Sequence, residues 1–301
     1  RSKGLSLFYG NHGGLDYPRM IREFSPLRVL YEAKNLPLEK YDLIINDFEC
    51  ITSLACKIKN LPSVNFGHQA SFMSKHTPRP KKKDIAGEWI LQKYATAESY
   101  IGLHFEQYDD FIYSPIIKQE ILEAVPENHG HITVYLSHYS DAVVAAELKK
   151  MGNLQFELFS KTRTSITQEG NIRYIPIDGD KFNKSMINAA GIITGAGFET
   201  PAETLYLGKK LLCLPIKAQY EQLCNAAALK KFQVPVIQNL DENFADAVTN
   251  WLETPNPAKL LLKHSTAEIV AKVIETASAS RKITHFQPED NFSYAPFNFQ
   301  Y

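Results

Sequence analysis

The sequence has no long apolar run. None of its hydrophobic stretches approaches the roughly twenty residues a helix needs to cross a bilayer, and no signal-peptide pattern stands at its start. It also lacks an excess charge of either sign: 33 Lys and Arg balance 33 Asp and Glu, so no global field draws nucleic acid or an anionic membrane. Only a local patch can do that. Cysteine is scarce, and Cys50, Cys56, Cys213 and Cys224 stand in apolar or helical contexts without a CxxC or His-rich spacing. That pattern favours reduced thiols over a disulfide framework or a zinc site, and a reducing cytoplasm is the simpler compartment. At 301 residues the chain is long for one core and comfortable for two domains.

What is present concentrates between Ile193 and Leu229, ITGAGFETPAETLYLGKKLLCLPIKAQYEQLCNAAAL. Ala189, Ala190, Ile192 and Ile193 form an apolar run suited to a buried strand, and Gly195 and Gly197 then let the backbone turn tightly and approach a ligand. Thr200 stands where an N-cap belongs, with Pro201 at the first helical position and Glu203 three residues after the cap. Free amides at that turn, backed by the helix dipole, favour a diphosphate. Glu203 either closes a capping box or faces a ligand. A second strand, Leu211 to Leu214, leads to Gln219, Glu221, Gln222 and Asn225 at its carboxyl end, where open α/β sheets bind ligands. Carboxylate and carboxamide groups together suit sugar hydroxyls.

This segment resembles the donor-binding motif of GT-B nucleotide-sugar glycosyltransferases, a superfamily that includes the UDP-glycosyltransferases and the lipid I N-acetylglucosaminyltransferase. More closely, the phrases GAGFE, PAE, LGKKLL and QYEQLCNAAAL are similar to those of a largely uncharacterised bacterial glycosyltransferase family. The resemblance implies two Rossmann-like α/β domains facing a cleft: residues 1–125 on the acceptor side, 126–280 on the donor side, and 281–301 as an aromatic tail. It places the donor diphosphate on Gly195, Gly197 and Thr200, the ribose hydroxyls on Glu203, and the donor sugar on Gln219, Glu221 and Gln222. It also implies an unknown acceptor hydroxyl, no partner nucleic acid, and no cofactor beyond the nucleotide sugar, a uridine one being expected. No metal is expected, because helix amides and a nearby cation would stabilise the leaving diphosphate, and the sequence is read as lacking the Asp-x-Asp motif of metal-dependent transferases.

The remaining candidates stay two-sided. Asp47 and Glu49 follow the strand pattern YDLIIN, and each is either a general base or a helix cap. His68 and Gln69 end the strand from Leu61 to Phe66, His68 serving as base or as a hydrogen-bonded structural residue. HITVYLS delivers Ser137, His138 and Tyr139, and LQFELFS delivers Ser160, Lys161 and Arg163. Lys161 or Arg163 either neutralises the diphosphate or is an exposed loop charge. Phe182 stacks on the nucleobase or packs a helix.

Between Lys75 and Asp84, HTPRPKKKD forms a basic, proline-broken loop, either solvated or in contact with an anionic acceptor or lipid headgroup. The next segment, GEWILQKYA, reads as an amphipathic helix whose Trp89 packs against its own domain or, as the alternative, against lipid, the first being expected. A strand is expected from Val234 to Ile237, and the GT-B resemblance implies a terminal helix that crosses back to the first domain. The start, with LSLFYG and then Asn11 to Gly14 read as a turn, suggests an amino-terminal domain incomplete at its beginning. Two other readings remain: a nucleotide-sugar 2-epimerase, in which Glu221 does chemistry, and a non-enzymatic nucleotide-sugar binding protein.

Overall fold

Short aliphatic runs bounded by turn formers become parallel strands in both halves of the chain. The structure, a computed structural model, describes Arg22 and residues 25–281. In the first half, β1 (Ile45–Asn46), β2 (Val64–Gly67), β3 (Ser99–Leu103) and β4 (Ile112–Tyr113) form a parallel sheet in sequence order. In the second half, β5 (His131–Tyr135), β6 (Gln155–Ser160), β7 (Thr167–Glu169), β8 (Ile172–Pro176), β9 (Gly191–Thr194) and β10 (Lys210–Cys213) form a six-stranded sheet of order β10-β9-β5-β6-β8-β7. Only β7 runs antiparallel, on the edge beside β8. The order reverses at β5, so β9 and β6 flank it, and the loops after these three strands open together at one end. This is the expected α/β architecture of two Rossmann-like sheets.

Burial follows the strand pattern. All four residues of β9 are buried, which a strand sandwiched between helix layers requires, and Ile192 and Ile193 point to opposite faces. Ile192 joins a core with Leu205, Leu211 and Leu229, while Ile193 joins Val134, Leu158 and Trp251. The carboxyl-terminal helix, Thr266–Arg281, sends Ile269, Val273 and Ala277 back onto Val64, Ile101 and Leu103 of the first sheet. The expected crossing-back is therefore present. It ties the end of the chain to the first sheet by apolar burial.

Three local readings change. The segment YDLIIN contributes only Ile45–Asn46 to the sheet, and SYIGL, not singled out in the sequence, supplies β3. Val234 to Ile237 makes an isolated bridge, Val236 with Cys213, rather than a strand, because Pro235 withholds one amide from the ladder. Residues 1–21 and 282–301, with Asn11 to Gly14 and the aromatic tail, lie outside the described residues.

Candidate functional site

β9 delivers the chain to the turn at 195–198, and the helix that follows begins at Glu199 rather than after Thr200. Phe198 is the cap residue and contributes no side-chain hydrogen bond. The expected Thr200 cap is thus corrected. Thr200 already lies inside the helix, where its carbonyl accepts the Thr204 hydroxyl at 2.7 Å. No side-chain oxygen caps this start, Pro201 has no N–H and the Ala202 amide goes to the Phe198 carbonyl at 3.1 Å, so the Thr200 amide is among those that keep a capacity for an anion. A Cβ added at Gly197 would meet nothing within 4 Å, whereas one at Gly195 would lie 3.3 Å from Gln222 Oε1. Gly197 therefore borders open space, and Gly195 makes room for a neighbour.

Glu203 does not close a capping box. It is 2 % exposed, and its only ion-pair partner among the described residues is Lys118, whose Nζ lies 3.4 Å from Oε1. Burial pushes its carboxyl above the ordinary range, with the Glu199 charge adding to the shift and Lys118 working against it. Lys118 comes from the connection between the two sheets, and no sequence signal pointed to it.

The acid-amide loop divides by role. Gln222 Oε1 accepts from the Ala196 and Ile216 amides at 3.1 and 2.9 Å, so its carbonyl is spent joining the glycine turn to the loop after β10. A contact of Gln222 with the sugar therefore rests on its Nε2. Asn225 is fully buried and donates to the Ala196 carbonyl at 3.1 Å. Gln219 caps the helix Tyr220–Leu229 by its backbone, and its Oε1 is buried without a partner. Glu221 remains partly open and accepts from Gln69 Nε2 at 3.3 Å.

These contacts join the two halves. His68 Nδ1 donates to the Leu103 carbonyl at 3.0 Å, and Nε2 lies 2.8 Å from Asn225 Oδ1. Its ring stacks on Phe198 with centroids 4.0 Å apart and planes 7° from parallel. Burial holds its pKa below the ordinary value, with Glu221 opposing. Nδ1 is spent on the Leu103 carbonyl and the residue is 6 % exposed, so His68 stands here as a post between the halves. Glu49 is a cap, accepting the Ile51 and Thr52 amides at 2.8 and 2.7 Å.

Asp47 is the remaining acid on the acceptor side. Its residue surface is exposed, yet its carboxyl turns inward over Gly67, where φ is +139° and an added Cβ would fall 2.7 Å from Oδ1. Desolvation there, and then the charges of Glu199 and Glu221, push its pKa up. Asp47, after β1, thus feels two carboxylates from the first turns of the helices Glu199–Tyr206 and Tyr220–Leu229. Phe48 beside it holds φ at 49°, a left-handed value that a phenylalanine adopts only under constraint.

Lys161 donates to the Ser137 carbonyl in the loop after β5. His138 next to it is 4 % exposed, with neither ring nitrogen partnered, and burial followed by the Lys161 and Lys217 charges lowers its pKa to about 4. Lys217 enters from the loop after β10 and had no role in the sequence reading. Arg163 turns away. It pairs with Glu169 at 2.5 Å and covers the Tyr174 ring. Phe182 is half-buried and meets Phe159 and Tyr135 edge-on at 5.0 and 5.9 Å. The reading that the sequence lacks an Asp-x-Asp is corrected: Asp178-Gly179-Asp180 is one, and in it Asp178 caps the helix Gly179–Asn188 by accepting the Lys181 amide at 2.9 Å.

The basic loop separates into a fixed and a free part. Arg79 grips Glu88 through Nε at 2.9 Å and the Phe72 carbonyl through Nη2 at 2.9 Å, while Lys81, Lys82 and Lys83 are exposed. Trp89 is 62 % exposed, against the expectation that it packs on its own domain. The helix Ile85–Lys93 buries its other side, with Leu91 inward and Gly87 against Tyr220.

The model of the family described as glycosyl transferase family 1 matches residues 30–254. Among solved structures, an Arabidopsis thaliana UGT89C1 in complex with UDP aligns over 84 % of this chain and 71 % of its own, at 14 % identity and TM-score 0.50. The S. aureus MnaA–UDP co-structure aligns over 90 % of this chain and 83 % of its own, at 12 % identity and TM-score 0.56. At such identity these likenesses speak for the fold. No curated protein sequence gives a significant match. No described helix is long and apolar enough to cross a membrane.

Proposed function

We propose, on the premise that this chain belongs to glycosyl transferase family 1 and is a glycosyltransferase of the GT-B fold, that it transfers a sugar from a uridine diphosphate donor held at the Glu199–Tyr206 helix. One observation carries the reading: an uncapped helix start beside open space at Gly197, with a buried carboxylate, Glu203, one turn along. The spacing matches a nucleotide's own, since a diphosphate on the leading amides leaves the ribose hydroxyls to reach a carboxylate deeper on the same helix. UDP is present in the two aligned structures, which supports a uridine donor here.

Lys161 and Lys217, from the loops after β6 and β10, both bear on His138 in the loop after β5, and in this reading their charge supplements the amides as the diphosphate leaves. This requires no metal. Glu221 and Gln219 line the sugar side, and Phe182 with Tyr135 and Phe159 offers an aromatic wall for the base. Asp47 is the proposed general base, because its raised pKa suits taking a proton from an acceptor hydroxyl. The acceptor side is the first sheet's, with residues 1–125 and 126–280 as the two domains. The cysteines, all free, fit a cytoplasmic setting.

The test is to incubate the protein with a panel of UDP-sugars and candidate acceptors. Release of UDP that depends on acceptor supports the reading, and binding of UDP-sugar without turnover under any acceptor counts against it.

A further inference from the structure

The face formed by Lys81, Lys82, Lys83, Ile85, Trp89 and Lys93 has no counterpart in the donor site. Three consecutive lysines lead directly into a helix whose Ile85 is 87 % and Trp89 62 % exposed. Ile85, Trp89 and Lys93 recur every four residues, so they share one line along the helix. That line faces away from the protein. Gly87 lies against Tyr220, where an added Cβ would come within 2.4 Å of Tyr220 Cβ, Glu88 is held by Arg79, and Leu91 is buried.

The unit is also pre-built. Asp84 caps the helix by accepting the Ala86 and Gly87 amides at 3.0 and 3.2 Å, and the Arg79 contacts with Glu88, the Thr77 carbonyl and the Phe72 carbonyl fix the loop before it. An ordered helix presenting a bulky apolar pair, flanked by cations at both ends, loses little entropy on docking. In a chain with no net charge, this is a local positive patch with an apolar centre.

We propose that this face docks on an anionic lipid surface, with Ile85 and Trp89 entering the headgroup boundary and the lysines meeting lipid phosphates. Charge selects the occupant: a lysine triplet beside a tryptophan and an isoleucine complements a negatively charged interface that is apolar just beneath. The patch adjoins Tyr220 of the helix that carries Glu221, so docking brings the cleft close to the bilayer. The inference stands apart from the donor reading.

Tryptophan fluorescence tests it cleanly, because the chain has two tryptophans and Trp251 is 2 % exposed. The full chain is titrated with phosphatidylcholine vesicles containing about one third phosphatidylglycerol, and with phosphatidylcholine alone. On the anionic vesicles the emission should move to the blue and lose accessibility to iodide, with binding weakening as salt rises. Replacing Lys81, Lys82 and Lys83 by Gln should lower the partition coefficient roughly 100-fold, taking each lysine's usual contribution at such a surface. Trp89→Ala should lose the blue shift, and Ile85→Ser should weaken co-sedimentation. UDP affinity should be unchanged in all these variants, which separates failure here from failure of the donor reading. Equal binding to both vesicle types, no binding to either, or a blue shift without lipid that tracks protein concentration would overturn the proposal, the last favouring a second copy as occupant.

Discussion

Gly197→Ala separates folding from function at the donor turn. A methyl there meets nothing within 4 Å, and Gly197 is not among the glycines with positive φ, which are Gly67, Gly130, Gly170 and Gly208. Alanine therefore fits the native backbone, and restricting the unfolded chain should add about 0.4–1 kcal/mol of stability. For a protein of this size that corresponds to a melting temperature higher by about 1–3 °C. The same methyl occupies the space in front of the uncapped helix start, where a diphosphate oxygen must come within hydrogen-bonding distance of an amide. Losing one hydrogen bond to a charged group is worth about 1.5–3 kcal/mol, so UDP affinity should fall roughly 10- to 100-fold. Differential scanning calorimetry and isothermal titration with UDP on one preparation read both effects. Unaltered affinity in a variant that melts no lower than wild type would refute the placement of the diphosphate at this turn.

Asp47→Asn should lower kcat by about 10²–10⁴ with donor KM little changed, and the acid limb of the wild-type pH–rate profile should lie above the ordinary carboxylate range, as its raised pKa requires. Glu49→Ala removes only a cap, so it should cost about 1 kcal/mol in denaturant titration and leave kcat alone. His138 has an ordinary pKa of 6.5 and a folded value of about 4, so the unfolded chain takes up its proton first as pH falls. Its contribution is therefore intact above about pH 6.5 and shrinks towards pH 4, a loss of about 3 kcal/mol, and His138→Gln should flatten that acid limb in urea melts. A limb unchanged by the substitution would contradict the buried neutral imidazole.

The donor half was legible because its elements are local. A strand, a turn, a helix and a second strand follow one another within forty residues, and Gly208 marks the helix end from sequence alone. The exact helix start was not, because Thr-Pro-x-Glu mimics a capping box two residues too late, and Phe198 takes the cap position while stacking on His68 from the other sheet. That contact joins residues 130 positions apart, and no local pattern records it. The same reason hid Lys118 and the place of His68 as a post between the halves. Trp89 was misplaced for a different reason: helical periodicity shows that a face exists, while which face is covered depends on Tyr220 reaching Gly87 from the far half of the chain.

The central claim, that Glu203 receives the ribose of a nucleotide donor, is tested most directly by isothermal titration of UDP into wild type and Glu203→Ala, with circular dichroism to confirm that the variant is folded. The account predicts at least a tenfold loss of affinity, since a buried carboxylate with charged hydrogen-bonding capacity contributes about 1.5–3 kcal/mol. Lys118, 44 % exposed at its side chain, tolerates losing its partner to water. An affinity equal to wild type in the folded variant would contradict the assignment.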